Sequence, residues 1–245
     1  LTGPRGFCGA FVDGYPRASC DRSSVSPGVL PLVNHLPGVE FLNSLKRTAH
    51  LKRYHVPLPP PAESFRLAPV STEAGRLDPE EVRCLTEWRN RHVHAFLTEF
   101  TADEERTGRW LSSSVGPDST RILFMLENSS GRKCAYAGIA HIAWDQAYGE
   151  ADAIVRGEAL PRGTMGIALR TLLSWARSDL GLRELGVRVL ADNPAVDFYR
   201  KCGFREVRRE SLARTLSTDG VTWVVAPSEV APVRWLIHMR HSELG

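Results

Sequence analysis

Val189-Leu190-Ala191-Asp192-Asn193-Pro194-Ala195-Val196-Asp197-Phe198-Tyr199-Arg200-Lys201-Cys202-Gly203-Phe204 is the stretch around which the rest of the chain can be read. It begins inside the short apolar run Leu185 to Leu190 (LGVRVL), which predicts a strand. Asn193-Pro194 then opens a short helix, because asparagine caps free amide groups and proline suits a first helical position. Gly203 closes that helix, and Phe204 to Arg209 predicts the following strand.

Upstream, Ile167 to Leu180 predicts a longer helix, with Ala168, Leu172, Trp175 and Ala176 mostly on one face and Gly181 as its stop. It is entered from Gly157 to Gly166, a loop with three glycines and a proline, and that loop follows a candidate strand, Ala151 to Arg156. Arg121 to Glu127 and Ala135 to Trp144 read as a hairpin about the polar turn Asn128-Ser129-Ser130-Gly131. Asp78-Pro79 predicts the cap and first position of a helix carrying Val82, Leu85, Trp88, His92 and Phe96 at helical spacing. Thr101-Ala102-Asp103-Glu104 fits a capping box for a second helix running through Trp110-Leu111 to a stop at Gly116-Pro117. Two helices are thus expected before the sheet. Val221 to Ala226 and Val233 to His241 complete an α/β (α+β) pattern without internal repeats.

The 245 residues are 42% hydrophobic and 24% charged, an ordinary globular composition. No apolar run reaches membrane-spanning length and the start, Leu1-Thr2-Gly3-Pro4-Arg5, lacks secretory-signal character, so a cytoplasmic protein is expected. Cys8, Cys20, Cys84, Cys134 and Cys202 form no C-x-x-C pair, which argues against a disulfide framework and a structural zinc. The net charge of +3 sits in residues 1–64, with seven basic and four acidic residues, while residues 65–245 balance. That is a poor footprint for nucleic acid. Nine of the sixteen prolines precede residue 65, ending in Val56-Pro57-Leu58-Pro59-Pro60-Pro61, a stiff stretch that marks a candidate boundary. Residues 1–64 are therefore read as an extension of unknown function, disordered or packed on the main domain, in which only Val39 to Leu51 has helical spacing. Residues 65–245 form the domain expected to carry the chemistry.

A glycine loop entering a helix is a natural phosphate cradle, since the first helical amides are unpaired and the helix end carries partial positive charge. Neither a Walker A motif nor G-x-G-x-x-G is present, and there is no G-x-S-x-G elbow. His92 and His94 point about 200° apart on a helix and make poor co-ligands. His141 and Asp145, on one face of a strand, are read as a structural pair.

The opening stretch closely resembles the pattern N-x-x-A-x-x-[FL]-Y-x-K-x-G-F of the GNAT superfamily of N-acetyltransferases, with Val196 on the pattern's alanine. The loop resembles that superfamily's pyrophosphate motif [QR]-x-x-G-x-[GA], with Gly166 and Ala168 on its last positions and Gly163 where Arg or Gln is usual. Trp88-Arg89-Asn90, Thr101-x-x-Glu104-Glu105 and Trp110-Leu111 look like the opening of the amino-sugar-nucleotide and ribosomal-protein N-terminal acetyltransferases, with the tryptophans as core anchors and Arg89 or Asn90 facing an acceptor. The resemblance implies a mixed, mostly antiparallel sheet flanked by helices, acetyl-CoA as cosubstrate, no metal, and direct attack by a small-molecule amine in a ternary complex. An amino sugar or its nucleotide conjugate is the first acceptor expected, a peptide N-terminus the second, and a non-catalytic acyl-CoA-binding module the rival from another class.

By the same resemblance Tyr199 is the acid toward the leaving thiolate, and a phenol with pKa of about 10 stays protonated at neutral pH. Backbone amides near Ile154 and Val155 polarise the thioester carbonyl; those of Gly163, Thr164, Met165, Gly166 and Ile167 hold the pyrophosphate, with charge added by Arg162. Asn193 and Lys201 stand beside the cofactor arm. Glu150 and Asp152, which alternation sends to one face of their strand, are candidate bases, with Glu158 as a loop alternative. No membrane or nucleic-acid partner is expected, and Ser211 to Pro232 is long enough to shape the acceptor side or a homodimer contact.

Overall fold

The computed structural model describes residues 36–217, 220–227 and 233–242. Residues 1–35, with Cys8 and Cys20, and parts of Ser211 to Pro232 lie outside the described residues. In chain order the elements are α1 (Leu36–Thr48), β1 (Val56–Pro57), β2 (Phe65–Pro69), α2 (Pro79–Arg91), β3 (Thr98–Glu99), α3 (Glu104–Trp110), β4 (Ile122–Asn128), β5 (Lys133–Ala143), β6 (Tyr148–Arg156), α4 (Thr164–Ser178), β7 (Glu184–Leu190), α5 (Ala195–Lys201), β8 (Phe204–Ser217), β9 (Gly220–Val225) and β10 (Arg234–His241). One sheet takes all ten strands in the order β1-β2-β4-β5-β6-β7-β10-β8-β9-β3. Every neighbouring pair is antiparallel except β6 and β7. This is the mixed, mostly antiparallel sheet with flanking helices that the family resemblance implied.

Alternation on β4 shows how the sheet is buried on both faces. Ile122, Phe124 and Leu126 enter one core with Leu42 and Leu45 of α1, Leu169, Leu172 and Trp175 of α4, and Val196 and Tyr199 of α5. Leu123 and Met125 enter the other, with Val82, Leu85 and Trp88 of α2 and Leu111 and Val115 after α3. Trp88 is an anchor there, 1% exposed and stacked on Tyr136 with ring planes 10° apart.

Asp78 caps α2 as its sequence indicates, accepting from the amides of Glu80 (2.9 Å) and Glu81 (3.4 Å), with Pro79 at the first position. The cap of α3 is Asp103, which accepts from the Arg106 amide at 2.7 Å, and not Thr101. The reason is tertiary. Asn90 exchanges two hydrogen bonds with the backbone of Ala102, at 2.8 and 2.9 Å, so the chain through Thr101 is held before a helix can begin. A turn of π-helix, Leu111–Val115, continues α3 to Gly116, where the sequence placed its stop. The expectation that two helices precede the sheet is corrected by β1 and β2, which pair ahead of them and continue the sheet beyond β4.

The proline-rich segment packs as the other half of that small hairpin. Leu58 and Ala62 are buried in the same core as Phe124 and Leu172, and the Leu58 amide donates to the Phe65 carbonyl at 3.1 Å. Residues 36–64 therefore share the core built by β4, β5, α4 and α5, with Leu42 fully buried beneath the sheet. Leu42→Ala is expected to lower the unfolding free energy by about 2–5 kcal/mol while a single transition is retained; an unchanged urea midpoint would show that α1 folds apart from the sheet.

Candidate active site

The site begins where β6 and β7 part. Their parallel ladder runs only from Tyr148 opposite Glu184 to Ala151 opposite Val187. Beyond it β7 stays on β10, while β6 keeps to β5 and carries a bulge in which Ala153 and Ile154 oppose Ala137 alone. Ala153 takes φ +53°, a left-handed conformation that costs a residue with a Cβ about 1 kcal/mol or more. A bulge bends its strand and releases the extra residue from the ladder. Here Ile154 and Val155 line a cleft of about 680 Å³ where the strands part.

Glu150 and Asp152 both line this cleft, as their alternation predicted. Their surroundings differ. Glu150 is buried and engaged on both oxygens: the Tyr148 hydroxyl donates to Oε1 at 2.8 Å and Arg188 Nε to Oε2 at 2.6 Å. Gly186, the register partner of Glu150, makes room for this, because a Cβ there would stand 2.5 Å from the Tyr148 hydroxyl. Asp152 is half-buried between Tyr136, His141 and Tyr199 and bears electrostatically on all three. Tyr199 of α5 is 7% exposed; burial first, and then the Asp152 charge, push its hydroxyl well above an ordinary phenol. It holds its proton throughout the neutral range.

His141 reaches the cleft through a second irregularity. On β5, Ile139 and Ile142 both face the core beneath α4, three residues apart instead of two, because the register slips between Ala140 and Ala143 and His141 takes φ +52°. The expected pairing with Asp145 is corrected: β5 ends at Ala143, Asp145 is exposed on the next turn, and His141 lines the cleft. Burial lowers the His141 pKa, and of its charged neighbours Arg188 and Arg121 lower it further while Asp152 and Glu150 oppose them.

Helix α4 starts at Thr164, three residues earlier than its apolar pattern indicated, so Thr164, Met165 and Gly166 form its first turn. Gly163 is the capping residue, at φ +91°, with no side-chain cap and open space where a Cβ would lie. The Thr164 amide bonds Pro161 at 3.2 Å and the Ile167 amide bonds Gly163 at 3.0 Å, while helix geometry leaves those of Met165 and Gly166 without intrahelical acceptors. An uncapped, glycine-opened helix start beside the cleft fits a pyrophosphate. Met165 also lines the cleft, as do Asn193, ahead of α5, and Tyr199 within it. Asn193 accepts from the Ala195 amide at 2.9 Å, while the cap position of α5 falls on Pro194, one residue later than the sequence pattern indicated.

Other expected residues stand elsewhere. Arg162 and Lys201 are exposed and neither lines the cleft. Glu158 pairs with Arg132 at 3.3 Å, outside it. Arg89 and Asn90 do not line the cleft; both are engaged by backbone groups of the segment after α2. The buried Arg89 guanidinium donates to the carbonyls of Phe100 and Thr98, each at 2.7 Å, and lies 3.7 Å over the Phe100 ring, which secures the Phe96-Leu97-Thr98 wall of the cleft. Tyr148, Arg188, Arg121 and His141 went unnoticed as site residues. No local pattern marks them, because strand pairing and bulges bring them together across the sheet.

Residues 75–205 match the acetyltransferase (GNAT) domain family, and the chain belongs to it. It carries a GNAT N-acetyltransferase domain, whose cosubstrate is acetyl-CoA. Among solved structures it is similar in fold to spermidine N-acetyltransferase from Vibrio cholerae in complex with CoA and spermine, at 16% identity and TM-score 0.55 over 72% of this chain and 94% of that one. A probable GNAT-family acetyltransferase from Chromobacterium violaceum is similar at 18% identity and TM-score 0.55, over 76% of this chain and 93% of that one. No curated protein matches the chain.

The electrostatics of His141 can be checked directly. Its ring protons are expected to titrate below the ordinary histidine range of about 6.5, and lower still in Asp152→Asn, which removes an opposing charge. An NMR pH titration with an unshifted midpoint would show that the ring does not lie buried in the cleft.

Proposed function

We propose that the protein transfers the acetyl group of acetyl-CoA to the primary amine of a small acceptor, an amino sugar or a nucleotide-linked amino sugar, by direct attack in a ternary complex. The observation that carries this reading is the different engagement of the two carboxylates. Glu150 is committed to Arg188 and Tyr148, whereas Asp152 lies half-buried in the cleft near both His141 and Tyr199. Asp152 is thereby the group placed to draw a proton from an incoming ammonium, directly or through water, and Glu150 is a structural anchor.

Bound acetyl-CoA supplies the activated acyl group as a thioester. On the protein side, the first-turn amides of α4 hold its phosphates, and the bulged backbone at Ile154 and Val155 offers donors to a carbonyl oxygen as charge develops there. Tyr199, kept protonated by burial, donates from its hydroxyl toward a leaving thiolate. Phe96, Leu97 and Trp110 wall the acceptor side and exclude water.

The charge of the cleft favours the amino-sugar class over a polyamine. Its charged lining consists of Arg121, Arg156 and Arg188 against Glu150 and Asp152, with Glu150 already neutralised by Arg188. A polycation needs an excess of free carboxylates, and a phosphate-bearing acceptor gains from the arginines instead.

A thiol-release assay with acetyl-CoA against amino sugars, their nucleotide conjugates, spermidine and short peptides tests the acceptor. Turnover on an amino sugar or its conjugate is expected, and turnover confined to spermidine or peptides overturns that class. In the same assay Tyr199→Phe is expected to cut kcat by about 10²-fold with acetyl-CoA affinity retained; an unchanged kcat removes the hydroxyl from the mechanism.

A further inference from the structure

The Phe96, Leu97 and Thr98 wall of the cleft is held from two sides. Arg89 secures it from α2, and β9 with the start of β10 secures it from the far end of the sheet. β3 pairs with β9, Thr98 opposite Thr222 and Glu99 opposite Val221, and the Trp223 amide donates to the Leu97 carbonyl at 2.8 Å. Leu97 and Trp223 pack on the buried Leu190, Leu212 and Leu236, and of these Leu190 and Leu236 line the cleft themselves. In the sheet order β3 stands three places from β10, roughly 14 Å away if the sheet were flat. The Glu99 carboxylate nevertheless meets Arg234 of β10 at 3.2 Å, so β8 and β9 curl back and bring the wall over the cleft.

Glu99 is the hub of that closure. Trp223 Nε1 donates to its Oε1 at 2.6 Å, Arg234 Nη1 donates to the same oxygen at 3.2 Å, and His94 Nδ1 stands 2.7 Å from Oε2. Burial opposes the charge on Glu99, yet these three partners prevail and hold its carboxyl below the usual range. Arg234 reaches further. Its Nε donates to both oxygens of Asp192 at 3.0 Å, its Nη2 donates to the His94 carbonyl at 3.0 Å, and its guanidinium lies 5.0 Å from the Trp223 ring centroid. Asp192 immediately precedes Asn193, which lines the cleft, so one guanidinium joins the wall to the turn between β7 and α5. Gly220 completes the fit: at φ +147° it opens β9, and a Cβ there would collide with the Glu99 carbonyl oxygen. β9 and Arg234 both lie outside residues 75–205, which match the family.

We infer that Arg234 is a positioning residue for the acceptor: through Glu99, Asp192 and the His94 carbonyl it fixes the Phe96 to Thr98 wall relative to the turn that carries Asn193. It touches no reacting atom, since neither Arg234 nor Glu99 lines the cleft. The inference rests on the reading of that wall as the acceptor side. Its physical basis is preorganisation. A wall already held by charge-assisted bonds needs no ordering when an amine arrives, so the cost of ordering it is not drawn from the acceptor's affinity. Loss of the clamp therefore weakens acceptor binding and leaves cosubstrate binding and the chemical step in place.

Steady-state kinetics of the full chain test this, with acetyl-CoA and glucosamine, spermidine or an alanine-led tetrapeptide as acceptor, beside calorimetry with CoA. In Arg234→Gln the acceptor KM is expected to rise about 10-fold, with kcat within about 2-fold and CoA affinity unchanged, the pattern of lost uniform binding. Arg234→Lys, which restores the charge without the forked donors, is expected to recover part of that KM. Gly220→Ala drives β3 off β9 with every charge in place and is expected to raise KM likewise, with melting curves confirming that the variants fold. An acceptor KM unchanged in Arg234→Gln, or a loss confined to kcat, overturns the clamp. So does a matching loss of CoA affinity, or a KM rise in Arg234→Gln with none in folded Gly220→Ala. Turnover of spermidine or the peptide alone overturns the amino-sugar class, and the same KM comparison on that amine still decides the role of Arg234. No turnover of any of the three overturns the reading of the wall as the acceptor side, and the clamp with it.

Discussion

The parting of β6 from β7 after Ala151 and Val187 is the constraint on which the molecule depends. A continuous ladder through this point would satisfy more backbone groups and leave no cleft. The bulge at Ala153 and Ile154 prevents it, at the cost of a left-handed alanine, and surrounding contacts must over-determine that conformation. They do so from both sides, since Val155 is locked into the core with Trp88 and Ala151 into the core with Leu172. Strain and the interrupted ladder fall at the same place, beside the cleft that Ile154 and Val155 line.

Buried charge is handled consistently around that gap. Glu150 is paid for by Arg188 and Tyr148, and Gly186 supplies the space. On the far side of α2, Glu81 is fully buried yet accepts from the Ser71 amide at 2.9 Å and from Lys52, while burial still drives its pKa up. Lys133 meets Glu80 at 2.7 Å and Asp78 at 3.5 Å. Each arrangement costs desolvation and ties separate segments together, the chain between α1 and β1 to α2 and α2 to β5. Arg89 does the same for the Phe96 to Thr98 wall of the cleft, with two carbonyls and an aromatic face replacing water around a guanidinium whose pKa burial lowers to about 10.

The N-terminal segment changes meaning in three dimensions. Proline spacing marks Val56 to Pro61 as a stiff boundary, and stiff it is, but as the turn of a hairpin that seals the sheet edge and buries Leu58 and Ala62. No helix among the described residues is long and apolar enough to cross a membrane.

Much of the architecture was legible because its signals are local. Asp78-Pro79, Asn193-Pro194, Gly203 and the Asn128 to Gly131 turn act through hydrogen bonds and dihedral preferences within a few residues, and strand alternation placed Glu150 and Asp152 on one face. The order of strands and helices from β4 onward follows from such signals, whereas β1 and β2 did not show in them. Bulges, by contrast, are choices between nearly equal registers that only the packed sheet can make. Those at His141 and Ala153 decide which side chains enter the cleft. So do partners remote in sequence, such as Arg188 against Glu150 and Asn90 against Ala102, whose energies exist only once the sheet and its helices have closed around them. The chain's sequence determined the family of fold and placed two carboxylates on one strand face; tertiary structure decided that Glu150 is the one held by Arg188 and Tyr148, because burial and pairing are properties of the closed molecule.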